Sequence, residues 1–362
     1  PPRSTLFPYT TLFRSDWPSS MVPVYRNLLE HRSEFAGTKT VLTIHNLGYQ
    51  GIYDKSVFPF FGLPWEAYHG SGLEYFGSIN LLQAGISNAG KITAVSPTYA
   101  REIQTSSLGC TLDGLLRYRS ADLVGILNGV DYDEWNPETD VYIPAHYRMD
   151  DLAGKQFCKR ELQKEFSLEQ NPDIPVIGMV SRLTDQKGIG DLFGPMYGAA
   201  WHICAKMEVQ FAVVGSGDKW CEQELTSLSG RLANFKAKIG YSEKLAHLIE
   251  AGSDFFMMPS KYEPCGLNQI YSLKYGTLPI VRRTGGLADT VSNYNEDKGT
   301  GTGFVFDDLT PQAIFDTAGW AVYTYFNRAD HLESMRKAAM SQCFSWDKSV
   351  KEYIALYSML LQ

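Results

Sequence analysis

The chain has 362 residues, a formal net charge of −7, and 44% hydrophobic and 20% charged content, which is ordinary for a globular protein and long enough for two domains. No basic block offers affinity for a phosphate backbone, which argues against nucleic-acid binding, and no apolar run approaches the roughly twenty residues that cross a bilayer. Six cysteines, Cys110, Cys158, Cys204, Cys221, Cys265 and Cys343, show neither close pairing nor metal-ligand spacing and read as free thiols of a reducing compartment.

In chain order, strand-like apolar runs alternate with helical patterns, the mark of an α/β protein with parallel sheets. Residues 40–44 are a β-rich run ending at His45-Asn46, and residues 91–95 another ending at Ser96-Pro97. Residues 122–127 end at Asn128-Gly129, and the polar, proline-containing stretch 131–144 suits a domain crossover. Residues 175–180, 211–214, 254–258 and 278–281 supply strands of a second sheet, with helices predicted over 222–232 and 243–251. Residues 346–361 alternate at helical spacing.

Three segments of the second half carry chemistry. Ser181-Arg182-Leu183-Thr184-Asp185-Gln186-Lys187-Gly188 follows the run 175–180, which places Arg182 and Lys187 in the loop at the carboxyl end of a parallel strand. Ligands bind at that edge of open α/β sheets, and a planar guanidinium beside an ammonium can neutralise a diphosphate. Glu263-Pro264-Cys265-Gly266-Leu267-Asn268-Gln269 sets a carboxylate, able to hold hydroxyls, on a Pro/Gly turn. Arg282-Arg283-Thr284-Gly285-Gly286-Leu287-Ala288-Asp289 reads as a Gly-Gly turn opening a helix, whose unpaired N–H groups hold phosphate oxygens. Together they read as a site for a sugar carrying a phosphate.

These three segments, with Thr43-Ile44-His45-Asn46 and Leu127-Asn128-Gly129-Val130-Asp131, closely resemble the bacterial glycogen synthases and plant starch synthases. The resemblance runs from about Asp16 to Gln362 with the motifs in the family's order. It implies the GT-B architecture, two Rossmann-like domains facing a cleft: a partial first domain over 16–128, a nucleotide-sugar-binding domain over 129–345, and a final helix, 346–362, returning to the first domain. It further implies transfer of glucose from ADP-glucose to the non-reducing 4-hydroxyl of an α-1,4-glucan, with retention. Arg182 and Lys187 then neutralise the leaving phosphate, Glu263 holds the glucose hydroxyls, and His45 binds the glucose from the opposite domain. Gly285, Gly286 and Leu287 assist with backbone N–H groups, beside Thr284 and Gly266-Leu267. Tyr241 lies against the adenine, and Asp16, Asn128, Gln186, Ser260 and Cys265 are further candidates at the cleft. The same resemblance implies no cofactor, no metal, glycogen or maltooligosaccharide as acceptor, and a bacterial cytoplasmic location, or the plastid stroma in a plant.

Residues 1–15 stand apart. Thr5 to Ser15 looks like the conceptual translation of a common DNA-sequencing adaptor, and lacks the apolar core and cleavage site of a secretory signal. Family-like sequence starts at Asp16-Trp17, so on the order of a hundred residues of a Rossmann-like half are expected to be missing. With them goes a Lys-Thr-Gly-Gly-Leu loop, and the expectation is an inactive fragment with an incomplete first domain.

Plainer readings stand beside several candidates. A histidine after a strand, such as His45, is often a satisfied structural residue, Asn128-Gly129 is a common turn whatever the function, Tyr241 fits a packed ring, and Cys265 fits a small buried filler. Val214-Gly215-Ser216-Gly217-Asp218 invites a dinucleotide-binding reading, but Trp220 stands where a third glycine belongs. That break argues against a nicotinamide-dependent oxidoreductase. Aromatic residues, 13% of the chain, suit a glucan-binding protein, though such a protein has no need of Arg182, Lys187 and Glu263 together. Another retaining GT-B transferase, using UDP-glucose or a sucrose- or trehalose-type acceptor, is the nearest alternative.

Overall fold

The computed structural model describes residues 16–28 and 37–360; the adaptor-like segment 5–15 lies outside the described residues. Contacts divide the chain into two compact units, one running to Asn128 and resuming at Asp347, the other Gly129–Trp346. The stretch 131–144 carries neither helix nor strand.

The first unit contains β1 (Val41–Ile44), β2 (Ile52–Asp54), β3 (Glu74–Tyr75), β4 (Ser78–Asn80), β5 (Lys91–Ala94) and β6 (Leu123–Gly125). β1, β5 and β6 form a parallel sheet in that order, while β2, β4 and β3 form a small antiparallel one. Leu42, Ile44, Ile92 and Ala94 are buried, as expected of parallel strands covered on both faces. The buried pair Thr43 and Thr93, directly opposite in register, satisfy each other through a hydroxyl–hydroxyl bond of 2.8 Å. After β5, Ser96 caps helix Pro97–Glu102 by accepting the Tyr99 N–H at 2.9 Å, with Pro97 in the first turn, where no N–H is needed. The closing helix, Trp346–Leu360, is tied to this unit by the Ser349 hydroxyl, which donates to the Leu127 carbonyl at 2.6 Å, and buries Leu356.

The second unit is built on β7 (Val176–Leu183), β8 (Gln210–Gly217), β9 (Phe235–Ile239), β10 (Phe255–Met258), β11 (Leu278–Arg282) and β12 (Phe304–Phe306). The sheet is parallel throughout, in the order β12-β11-β10-β7-β8-β9. From β7 the chain builds outward to β9, then returns to β7's other side and builds outward again. The strand order therefore reverses between β7 and β10, a topological switch point where a crevice opens at the carboxyl ends. Ile177, Met179, Phe211, Val213, Phe255, Met257, Ile280 and Phe304 belong to one apolar cluster, and Val176, Ala212, Val214, Phe256, Met258 and Val281 to another.

β7 runs three residues beyond the expected strand. Ser181, Arg182 and Leu183 pair with Gly215, Ser216 and Gly217, so Arg182 lies on the strand's last residues rather than in the loop after it. A Cβ at Gly215 or Gly217 would overlap the carbonyl oxygens of Ser181 and Leu183. The two glycines that mimic a dinucleotide fingerprint thus serve strand pairing.

At the opposite end of the switch point, Asp254 is almost fully buried just before β10. One carboxylate oxygen meets Lys159 Nζ at 2.8 Å and accepts the Val176 N–H at 3.0 Å; the other meets Arg336 at 2.6 Å. Burial opposes its ionisation, but Lys159 and Arg336 outweigh that and hold the carboxyl below its usual range. Lys155, buried nearby, is lowered to about 7 by burial and by Arg336; the ion pairs of Asp254 are made by Lys159 and Arg336. Asp254→Asn leaves two buried cations without their carboxylate and is expected to cost about 3–5 kcal/mol at pH 7. The folded carboxyl titrates below its unfolded value of about 3.9. Its contribution is therefore complete above that pH and is lost as pH falls through the lower folded value. Urea unfolding of parent and variant should show a gap that narrows as pH is lowered below about 3.9; a gap independent of pH would assign the loss to packing.

Candidate active site

A hollow of about 290 Å³ opens at the carboxyl ends of β7 and β10, lined by Met179, Val180, Ser181 and Arg182 from β7 and Met257 and Met258 from β10. Lys187, Ser260, Glu263, Gly266, Leu267 and Asn268 complete the wall. The switch-point topology thus brings Glu263 beside Arg182 and Lys187, from which the sequence separates it widely.

Lys187 ends the short turn Asp185–Lys187, and its Nζ lies 2.5 Å from a Glu263 carboxylate oxygen. The buried Ser260 hydroxyl donates to the same oxygen at 3.0 Å. Arg182 is exposed, and among the described residues its guanidinium has no ion-pair partner. With Lys187 balanced by Glu263, Arg182 leaves the wall one positive charge in excess, which suits an anionic ligand. Gln186 is buried, and its carbonyl accepts the Lys261 N–H at 2.9 Å while its amide donates to the Tyr262 carbonyl at 3.4 Å. Those bonds join the Lys187 turn to the loop that carries Glu263.

The Gly-Gly turn packs from behind. Helix Gly285–Thr290 begins after Thr284, as expected, but its first N–H groups have protein partners. Gly286 donates to the Glu263 carbonyl at 3.0 Å and Leu287 to the Thr284 carbonyl at 3.1 Å. Thr284, Gly285, Gly286, Leu287 and Cys265 are all buried and none lines the hollow. This corrects the expectation of unpaired N–H groups at 286 and 287 and of a pocket-lining thiol: in this conformation these residues support the Glu263 loop. Gln269 completes the support by donating to the carbonyls of Cys265 and Gly266 at 3.0 and 3.1 Å.

Asn268 lines the hollow and was not singled out from the sequence, although it lies inside the Glu263–Gln269 motif. Its amide donates to the Val180 carbonyl at 2.8 Å, bracing the loop against β7. Tyr241, between β9 and helix Glu243–Gly252, is 77% exposed, a free ring face rather than a packed one.

His45, Asp16 and Asn128 lie in the first unit. His45 and Asn46 follow β1, and Asp16 gathers that loop by accepting the His45 N–H at 2.6 Å and the Asn46 N–H at 3.1 Å. Burial raises the Asp16 carboxyl despite those two bonds, which pull the other way. Asp16 thus acts on the backbone that orients His45. Asn128 is half-buried, at the last position before the second unit.

None of the six cysteines is in a disulfide; Cys110 and Cys343 are exposed and the others buried. Burial pushes Cys204 and Cys221 up to about 12, so those thiols are inert. Among the described residues no helix is long and apolar enough to cross a membrane.

Comparison with known proteins bears on both units. The family described as "Starch synthase catalytic domain" matches residues 10–118, and "Glycosyl transferases group 1" matches residues 161–339. A glycogen synthase of Treponema denticola is 54% identical over 343 residues, covering 95% of this chain and 70% of that protein. Glycogen synthase 1 of Geobacter metallireducens is 44% identical over 363 residues, 100% of this chain and 71% of the relative. Among solved structures, the catalytic domain of starch synthase IV from Arabidopsis thaliana, bound to ADP and acarbose, superposes with a TM-score of 0.86. It is 30% identical, with 96% of this chain and 72% of that one covered.

The turn at Gly285 has a direct test. Its φ is +43°, and a Cβ there would overlap the Glu263 carbonyl oxygen. Gly285→Ala should destabilise the protein by at least about 2 kcal/mol, measured by urea unfolding. A variant as stable as the parent would mean that the turn does not rest on the Glu263 loop.

Proposed function

From a chain that belongs to the glycogen synthase and starch synthase family of GT-B glycosyltransferases, we propose the following reaction. Glucose passes from ADP-glucose to the non-reducing 4-hydroxyl of an α-1,4-glucan with its anomeric configuration retained. The observation that carries this reading is the convergence of Arg182, Lys187 and Glu263 on one hollow at the sheet's switch point. The ADP held by the Arabidopsis structure supports adenine as the donor base, and the exposed ring of Tyr241 offers a flat apolar face for it.

As the bond from the anomeric carbon to the diphosphate breaks, negative charge grows on the leaving phosphate and positive charge on the sugar ring. Arg182, without an ion-pair partner among the described residues, meets the diphosphate as a planar fork. Lys187 turns from Glu263 towards the phosphate and so gains interaction as the leaving group gains charge, which is what lowers a barrier. Released from Lys187, the Glu263 carboxylate takes the glucose hydroxyls and faces the oxocarbenium-like ring. His45 contributes a hydrogen bond to the glucose. Two cations already balance the diphosphate, so the reading needs no cofactor beyond the donor itself.

Arg182→Ala should lower kcat by about 10²–10³-fold with an unfolding midpoint close to the parent's, because Arg182 is exposed; Lys187→Ala should lower kcat as far and also lower the midpoint, because it leaves the buried Glu263 without its counter-charge. Parallel incubations with ADP-glucose and UDP-glucose on maltooligosaccharide should favour the adenine donor, with α-linked product by NMR. Equal rates with both donors would defeat the adenine assignment, and unchanged rates in both variants would defeat the site.

A further inference from the structure

Glu134, Glu243 and His247 form a second cluster, and none of them lines the hollow beside β7 and β10. A carboxylate oxygen from each glutamate and a ring nitrogen of His247 all lie within 4.8 Å of one another. Glu243 opens helix Glu243–Gly252, and His247 follows one turn later on the same face. Glu134 comes from the irregular stretch after Val130.

His247 is the rigid member. It is fully buried, and its ring stacks on Trp135 with centroids 3.7 Å apart and planes at 14°, while Trp135 stacks in turn on Tyr271 at 4.0 Å. Its Nδ1 lies 2.7 Å from Asp140 Oδ2. Asp140 also accepts the Tyr275 hydroxyl at 2.5 Å and the Tyr142 N–H at 2.8 Å. Its carboxylate thus gathers three partners, the His247 ring, the Tyr275 hydroxyl and the Tyr142 N–H. An ionised carboxylate only accepts, so Nδ1 donates, and Nε2 is left as the nitrogen that presents a lone pair. That atom is buried and has no hydrogen-bond partner among the described residues, an arrangement that costs free energy unless something fills it. The two glutamates add carboxylate oxygens within 4.8 Å of one another and of a ring nitrogen of His247.

We propose that Glu134, Glu243 and His247 bind a divalent transition-metal ion, with Asp140 as the carboxylate that orients the histidine from behind. A cation answers the orphaned nitrogen and the facing carboxylates at once, and the order carboxylate, imidazole, metal is the arrangement that fixes ring tautomer and raises ligand basicity. One nitrogen with two oxygens suits Zn²⁺ better than Mg²⁺ or Ca²⁺, which prefer oxygen alone. Ligand atoms about 2.1 Å from a tetrahedral zinc lie roughly 3.4 Å apart, so the cluster closes by about an ångström on binding. The glutamates make that movement, because both are exposed while His247 is locked. The ion clamps the stretch carrying Glu134 to the start of the helix that follows Tyr241, a structural role apart from the transfer reaction.

The test uses the full chain, stripped with a chelator and titrated with Zn²⁺ alone, without nucleotide, whose phosphates would compete. Expected are one zinc per chain and a raised unfolding midpoint. Glu134→Gln and Glu243→Gln should each bind zinc at least tenfold more weakly, with unchanged far-UV circular dichroism because both side chains are exposed. Co²⁺ in place of zinc should give visible bands of nitrogen and oxygen ligation that disappear in the double variant. Absence of stoichiometric zinc in the parent overturns the proposal and leaves the glutamates sharing a proton. Undiminished zinc binding in the double variant, with the near-ultraviolet band of cobalt–thiolate bonds, overturns it in favour of the exposed Cys110 and Cys343.

Discussion

The second unit depends on one buried carboxylate. Asp254 joins the start of β10 to the start of β7 through the Val176 N–H, and holds two helices through Lys159 and Arg336. Buried ions are stable only when fully paired, so this contact tolerates few arrangements of the surrounding elements. It sets β10 beside β7, where the strand order reverses, and the reversal opens the hollow at the far end of the same two strands. Stability at the amino ends and chemistry at the carboxyl ends are thus two consequences of one strand pairing.

The hollow is held by layers that never touch it. Thr284 to Leu287 support the Glu263 loop from behind, Gln269 closes the Cys265–Gly266 turn, and Gln186 joins that loop to the Lys187 turn. Backbone bonds of this kind hold a side chain within a fraction of an ångström, which electrostatic catalysis requires. They also explain how the unliganded site tolerates its charges. Glu263 and Lys187 satisfy each other, and only Arg182, at the solvent edge, is left to draw in an anion. In the first unit Asp16 does comparable work, fixing the His45–Asn46 loop through two backbone N–H groups.

Much of this was legible beforehand. The runs 175–180, 211–214, 254–258 and 278–281 announce themselves as strands by their apolar content, since a parallel strand is covered on both faces. Arg182, Lys187 and Glu263 stood out because charged residues after such runs fall on the ligand edge of the sheet. The errors arose where backbone partners decide. Residues 181–183 look like a loop until Gly215 and Gly217 are seen to admit a closer partner, and the Gly286 N–H looks free until the Glu263 carbonyl arrives beside it. The grouping of Glu134 and Asp140 with His247 was invisible, because no spacing rule links residues brought together by a stacked Trp135.

From the sequence alone came the α/β class, the family, the strands and the three residues of the hollow. The family rests on the resemblance of its motifs, the others on local pattern: burial on both faces of a strand, or a charge placed just after one. Only the tertiary structure decided which N–H groups were already engaged, that Cys265 faces the interior, that Lys187 is balanced by Glu263 while Arg182 is not, and that the buried His247 meets the distant Glu134. Those outcomes depend on which backbone and side-chain groups become neighbours across the fold. Hydrogen bonding and charge balance act over a few ångströms, a scale that separation along the chain does not record.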